Sequence, residues 1–167
     1  VASGSEVWER RESGTSSSWV TVTSTDDLPD YDNESITIKN NITVAANLSI
    51  NQTTVNSGNT LTVSNGVTLT IENGDDDDLT ITGAFTNNGN VAVNSGTSVI
   101  YNGGTQEIAA LSYSTLSFTG STSSSIKIFT DGITKVDNEI SITDAITLTG
   151  SSASNVTVQV TTPGTTA

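Results

Sequence analysis

Short segments of alternating apolar and polar residues follow one another from residue 59 to residue 104, and most end in glycine or Asn-Gly. In NTLTVSNG and VTLTIENG, leucine, valine and isoleucine take every second position and threonine separates them. Period-two alternation is typical of a β-strand with one buried face, and glycine marks the turn that follows it. Strands this short bury their apolar face only by stacking on one another. The pattern therefore predicts a β-solenoid.

The same alternation runs from residue 35 to residue 160, in steps of 6 to 10 residues. Three steps make a coil of roughly 20 to 25 residues. We therefore predict an all-β fold, a single-stranded parallel β-helix (β-solenoid) of about five to six coils, with a sandwich or barrel as the structural alternative. One residue per segment is predicted to face inward: Ile36, Ile42, Leu48, Val55, Leu61, Leu69, Leu79, Phe85, Val91, Val99, Ile108, Leu116, Ile126, Ile133, Ile140, Ile146 and Val156.

The first 34 residues differ from the rest of the chain. They hold both tryptophans, Trp8 and Trp19, and eight of the 18 acidic residues. Large aromatic side chains laid across the first coil would cover the end of its apolar column. We therefore predict three parts: an N-terminal aromatic cap or connecting segment over 1–34, the solenoid over 35–160, and a tail or linker over 161–167.

Composition limits the function classes that are open to the chain. Only 33% of its 167 residues are apolar, which suits the thin core of a solenoid better than a multilayer globule. The formal net charge of −13 repels phosphate backbones and anionic lipid, so we expect neither a nucleic-acid partner nor membrane insertion. Cysteine, methionine and histidine do not occur. Without thiolate or imidazole chemistry, we expect no enzyme.

The order of motifs resembles a known family. A Trp-rich start (VWERRESGTSSSWV) and a Pro-Asp step (LPDYDN) precede SITIKNNITVAANLSI, VNSGNTLTVSNGVTLTI and GAFTNNGNVAVNSGTSVIYNGGTQEI. This order, over roughly Trp8 to Val160, is similar to the right-handed parallel β-helix segments of secreted and cell-surface, adhesin-like Bacteroidota proteins exported by type IX secretion. The resemblance implies an extracellular place and a structural or adhesive role, and it carries over no catalytic residues.

Two acidic stretches are candidate calcium sites, because hard cations take several carboxylate and carbonyl oxygens. The first is the run of four acids between two strands, and the second has alternate acidic spacing before the solenoid. The alternative for both is a solvated acidic turn that protects a sheet edge. Calcium is thus a possible cofactor at Asp75, Asp76, Asp77, Asp78, Asp30, Asp32 and Glu34.

Five Asn-x-Ser/Thr sequons are candidate glycosylation sites, although chance alone predicts about as many in a chain so rich in serine and threonine. They begin at Asn33, Asn41, Asn47, Asn51 and Asn155.

The function that we predict is that of an extracellular structural protein. It would be either the subunit of a self-assembled surface filament or a stalk module of a large adhesin, with other copies of itself or flanking domains as partners. The terminal strands would make these contacts, because solenoid ends present unpaired edges. The candidate assembly residues are Trp8, Trp19, Val20, Val22, Val156, Val158 and Val160.

The alternative function is a calcium-dependent or carbohydrate-binding adhesive module. It would use the acidic loops together with Tyr101 and Tyr113 as aromatic platforms for a sugar.

Overall fold

The computed structural model of the chain describes residues 36–120, 125–143, 146–151 and 156–160, together with the backbone of residues 9–10 and 20–21. All regular structure in these ranges is β-strand, and parallel strands stack into a solenoid of about five coils. The predicted fold is confirmed. The body of the predicted cap and the tail over 161–167 lie outside the described residues.

Two short strands precede the solenoid, and nine strands form its first three coils. The strands β1 (Glu9–Arg10) and β2 (Val20–Thr21) pair antiparallel. The coils are β3 (Ile36–Ile38), β4 (Ile42–Val44) and β5 (Leu48–Ile50); β6 (Thr53–Val55), β7 (Thr60–Val63) and β8 (Thr68–Ile71); β9 (Leu79–Ile81), β10 (Ala84–Asn87) and β11 (Asn90–Val93). Strands that occupy the same place in successive coils pair in parallel, which gives the solenoid three faces: β3-β6-β9, β4-β7-β10 and β5-β8-β11.

The C-terminal coils contain longer strands. They are β12 (Ser98–Tyr101), β13 (Gln106–Ile108), β14 (Ser112–Thr119), β15 (Ser125–Phe129), β16 (Gly132–Thr143), β17 (Ile146–Gly150) and β18 (Val156–Val160). The first face continues as the order β18-β16-β14-β12-β9-β6-β3, while β13, β15 and β17 form a separate sheet. The pairing of β14 with β16 changes register between Tyr113 and Thr115. Both strands continue through this irregularity without ending.

The core is a set of columns of stacked side chains. Leu61 lies in register with Phe85, and Leu79 lies in register with Val99. Since inward residues meet inward residues at every step, each coil buries the apolar surface of the coil before it. In the later coils the column is aromatic: Phe118 contacts Phe129 edge to face, with 5.8 Å between ring centroids.

The predicted inward orientation is wrong for two residues. Ile126 and Ile133 are exposed, at 36% and 53%, and their strand neighbours Lys127 and Thr134 are buried instead. Alternation places the residues of a strand on two opposite faces. The face that turns inward is the one whose side chains fill the core better. In β15 that side chain is Phe129, which has the same parity as Lys127 and packs on the aromatic column.

Glycines at two corners allow successive coils to approach closely. A Cβ added at Gly83 would lie 2.2 Å from the carbonyl oxygen of Asn59, and one added at Gly89 would lie 2.2 Å from that of Ser64. Both contacts are far inside van der Waals distance and are with backbone atoms. The chain therefore needs glycine where these corners cross the turn of the coil below.

Candidate functional site

Among the described residues, the apolar core reaches the last coil of the solenoid with no further coil stacked on it. Four side chains in the last coil are direct register partners of inward, fully or almost fully buried residues in the coil before. They nevertheless expose 41% to 52% of their surface. We call this set the open end; it consists of Ile142, Leu148, Val158 and Val160, which pair with Phe118, Lys127, Thr134 and Val136.

Two of the edge strands at the open end, β17 and β18, carry no charge, whereas the edge segment of β16 that contains Ile142 also contains Glu139. The sequence of β17 is ITLTG and that of β18 is VTVQV. Within the described residues, β17 pairs only with β15, and β18 pairs only with β16, so each strand has one unpaired edge. Charged residues are a common protection of such edges against unwanted strand pairing. The open end is therefore suited to accept a further strand.

The start of the solenoid differs from its end. The inward side chains Ile36, Ile38, Ile42 and Val44 of the first coil are all buried, with at most 6% of their surface exposed. Exposed core surface is thus a property of the C-terminal coil and not of both ends of the described solenoid. The predicted assembly residues Val158 and Val160 belong to the open end, and Val156 on the same strand is half-buried.

The predicted assembly residues of the N-terminal segment are not described in the same way. The backbone of Val20 belongs to β2, which pairs antiparallel with β1. Trp8, Trp19 and Val22 lie outside the described residues.

A lysine and a glutamine meet inside the solenoid, one coil away from the open end. Gln106 on β13 and Lys127 on β15 are register partners, and both are buried. The Nζ atom of Lys127 donates to Gln106 Oε1 at 2.5 Å and to the carbonyl oxygen of Gly103 at 2.7 Å. Burial lowers the pKa of Lys127 to about 8, because the charged form loses its hydration.

The amide of Gln106 is held on both sides. Its Oε1 atom also accepts a hydrogen bond from the backbone N–H of Gly103 at 2.8 Å. Its Nε2 atom donates to the carbonyl oxygens of Ile81 and Gly83, each at 2.8 Å. Together with Lys127 these bonds fix the position of every polar atom of the side chain.

This pair was not predicted from the sequence, although the sequence contains two signals for it. The distance from Gln106 to Lys127 is 21 residues, which is one coil length, so the solenoid prediction already implies that they are neighbours. Lys127 also shares the parity of Phe129, the largest apolar residue of its strand. Alternation had instead assigned the isoleucines of this strand to the core.

The acidic run does not gather into one cluster. Asp75, Asp76 and Asp77 are exposed, whereas Asp78 is buried. The carboxylate of Asp78 accepts hydrogen bonds from the backbone N–H of Gly74 at 2.5 Å and of Ser98 at 2.7 Å. Its oxygens therefore satisfy backbone donors of its own loop and of the next coil, a stabilising role for a buried carboxylate.

Calcium binding stays a prediction. Within the described ranges, no three acidic residues are grouped as they would be around a metal ion. The second candidate site, with Asp30, Asp32 and Glu34, lies outside the described residues.

The two tyrosines expected to serve as sugar platforms are in the core. Tyr101 and Tyr113 are at most 1% exposed, and their hydroxyl oxygens lie 3.2 Å apart. Tyr113 donates to the carbonyl oxygen of Ala109 at 2.8 Å, so the proton between the two hydroxyls comes from Tyr101. Burial raises the pKa of both, and that of Tyr113 well above its usual value, where Tyr101 adds to the effect. Neither ring offers a surface to a ligand.

The sequon asparagines lie in different environments. Asn41 and Asn47 are exposed, and their Oδ1 atoms accept from the backbone N–H of Thr60 and Thr68, each at 2.9 Å. The Oδ1 atom of Asn51 is buried and has no hydrogen-bond partner among the described residues. Asn33 and Asn155 lie outside those residues.

Comparison of the chain with models of protein families, with curated proteins and with solved structures finds no match. Within the described residues there is also no helix of the length and apolar character that crossing a membrane requires.

Proposed function

We propose that this chain is an extracellular structural protein and that it acts as one segment of a longer rod. The observation that carries this proposal is the open end, where core side chains of the last coil are 41% to 52% exposed. In solenoids, coils or capping segments normally cover such surface, because a stack is stable only when each apolar face has a neighbour. A further layer of β-strand would bury these four residues.

The occupant that we propose for the open end is a second copy of this chain. With a net charge of −13, two copies repel each other over most of their surface. Contact through β17 and β18 brings no charged residues of those strands together. The open end thus combines apolar surface with unpaired backbone edges on two strands, β17 and β18, that carry no charge.

The geometry of this contact decides the product. If the strands of the open end pair with the edges of β3, β4 and β5 in the next copy, which no described strand covers, the contact is heterologous and repeats without closing, which produces a filament. If two open ends meet around a two-fold axis, the product is a closed dimer. We propose the filament. The alternative is the stalk module of an adhesin, in which another domain of a longer chain covers the open end.

Electron microscopy over a wide range of protein concentrations tests this proposal. Filaments that lengthen with concentration are the expected result. Closed dimers or monodisperse rods would overturn the filament, and rods would redirect attention to the stalk module.

A matched pair of variants locates the contact. Val158→Lys places a charge on the exposed core position of β18, so filaments should be lost. Thr62→Lys places the same charge on the outward face of β7, in the middle of the solenoid, and filaments should persist. Equal behaviour of the two variants would contradict assembly through the open end.

We also propose that the source is a Bacteroidota-like bacterium in which this protein is placed on the cell surface. The order of sequence motifs that resembles type IX-secreted rods supports this, as does the strongly acidic composition. Antibody labelling of intact cells of the source organism tests the placement, and labelling only after lysis would contradict it.

A further inference from the structure

The Lys127–Gln106 pair has the geometry of an amine placed against an amide carbonyl. The two residues are directly opposite each other on β15 and β13, and the amine nitrogen lies 2.5 Å from the amide oxygen. Because both side chains are buried and bonded, the two groups stay together as long as the coils are stacked. Holding two groups side by side in this way lowers the entropic cost of a reaction between them.

The contacts of Gln106 match the needs of attack at its carbonyl carbon. Attack moves negative charge onto Oε1, and the backbone N–H of Gly103, at 2.8 Å, is placed to stabilise it as an oxyanion-hole donor does. The leaving nitrogen, Nε2, gains positive charge as it departs. The carbonyl oxygens of Ile81 and Gly83, which already accept its two hydrogens, stabilise that charge.

The nucleophile is available as the free amine. A lysine attacks only when it has lost its proton, and the burial of Lys127 lowers its pKa to about 8. A larger share of Lys127 is therefore neutral near pH 7 than of an ordinary, solvated lysine. The carbonyl oxygen of Gly103, at 2.7 Å from Nζ, stabilises the positive charge that forms on the attacking nitrogen.

We propose that Lys127 and Gln106 form an intramolecular isopeptide bond that joins β15 to β13. The bond from Lys127 Nζ to Gln106 Cδ forms, and the bond from Cδ to Nε2 breaks. A proton of the attacking amine passes to Nε2, which leaves as ammonia. Nothing is oxidised or reduced, and no other reactant is consumed.

This bond would tie together two coils near the open end. The chain has no cysteine, so a disulfide cannot do so. A covalent link across a 21-residue step would stop the coil that contains β15, on which the last coil stacks, from separating from the coil before it. The inference does not depend on self-association, because the pair lies inside a single chain.

Intact mass spectrometry of the purified, folded protein tests the proposal. The expected mass is about 17 Da below that of the sequence, the mass of one ammonia. Digestion and fragmentation should then yield a branched peptide that contains both Gln106 and Lys127. An intact mass equal to that of the sequence, after incubation of the folded protein at pH 8 to 9, would overturn it.

Two controls separate this reaction from others. Asn-Gly steps such as Asn102–Gly103 also lose ammonia when they form succinimides, but mild alkali hydrolyses a succinimide and leaves an isopeptide bond intact. Lys127→Arg keeps the charge and removes the nucleophile, so the loss of mass should disappear. If that variant does not fold, the branched peptide from the unaltered chain still decides; a loss located at an Asn-Gly step alone refutes the proposal.

Discussion

Phe118 and Ile142 are register partners on neighbouring strands of the same face, yet Phe118 is fully buried while Ile142 is 51% exposed. Both side chains point into the solenoid. Phe118 packs edge to face against Phe129 and has the following coil above it. The two positions differ in burial because a further coil stacks on Phe118, whereas no described coil stacks on Ile142.

We predict that this difference appears in stability. Phe118→Ala should lower the free energy of unfolding by about 3 to 5 kcal/mol, because it removes a large side chain from a packed core. Ile142→Ala should cost about 1 kcal/mol, since half of its side chain is already in water. Urea denaturation of dilute protein measures both. Equal losses would mean that something covers the open end.

The glycine corner gives a second prediction. Gly83→Ala should cost about 3 kcal/mol, because its Cβ would overlap backbone carbonyl oxygens and the coils would have to move apart. Gly58→Ala is the matched control: its φ is +78°, but no atom lies within 4 Å of the added Cβ. It should cost about 1 kcal/mol from backbone strain alone. Thermal melting compares the two, and a larger loss at Gly58 would refute the close approach at the corner.

Asp78 gives a third prediction. Asp78→Ala leaves the backbone N–H groups of Gly74 and Ser98 without their acceptor, so we expect a loss of about 1.5 to 3 kcal/mol. Asp76→Ala, in the exposed part of the same acidic run, should stay within about 0.5 kcal/mol. Denaturation in the presence of a chelator excludes any contribution from bound cation. If both variants lose the same stability, Asp78 does not have the role described.

The buried tyrosines predict a loss of stability at high pH. Their pKa values are raised in the folded state, so folded chains hold protons that unfolded chains release above about pH 10. The stabilisation is complete below pH 10 and is lost as the pH rises towards the folded-state pKa. Denaturant midpoints at pH 9, 10 and 11 measure this fall.

The double variant Tyr101→Phe, Tyr113→Phe is the control for that fall. It loses the hydrogen bond to Ala109 at every pH, and so starts less stable. Its stability should nevertheless depend less on pH above 10 than that of the unaltered chain. The same dependence in both proteins would assign the alkaline loss to other groups.

Much of the fold could be predicted because alternation and glycine recur at nearly every step. Leu61, Leu69 and Leu79 face inward as their patterns indicate. The coil length was predictable for the same reason, and it implies register pairs such as Gln106 with Lys127. Where all apolar residues of a segment fall on the same alternating positions, local periodicity therefore predicts the position of the strand, its inward face and its approximate register with the next coil.

The inward face of a strand was predicted wrongly where both alternating sets of its residues contain large apolar side chains. In SIKIF, isoleucines occupy one parity, while Ser125, Lys127 and Phe129 occupy the other. The contact between Phe129 and Phe118 decides the orientation, and it joins residues 11 positions apart across two different faces. The polar surroundings of Lys127 come from Gly103 and Gln106 in the coil before. No local pattern contains that information.

The coiled path of the chain also has a mechanical consequence. Register steps from Ile36 to Thr53 and from Thr53 to Leu79 place 17 and 26 residues in single coils. Each coil adds about 4.8 Å to the rod but holds roughly 60 to 90 Å of extended chain. A pull on the two ends would therefore lengthen the molecule more than tenfold as its coils unwind one after another, with only a few hydrogen bonds broken at a time. A short rod of this kind therefore contains enough chain to span a much longer distance once its coils have unwound.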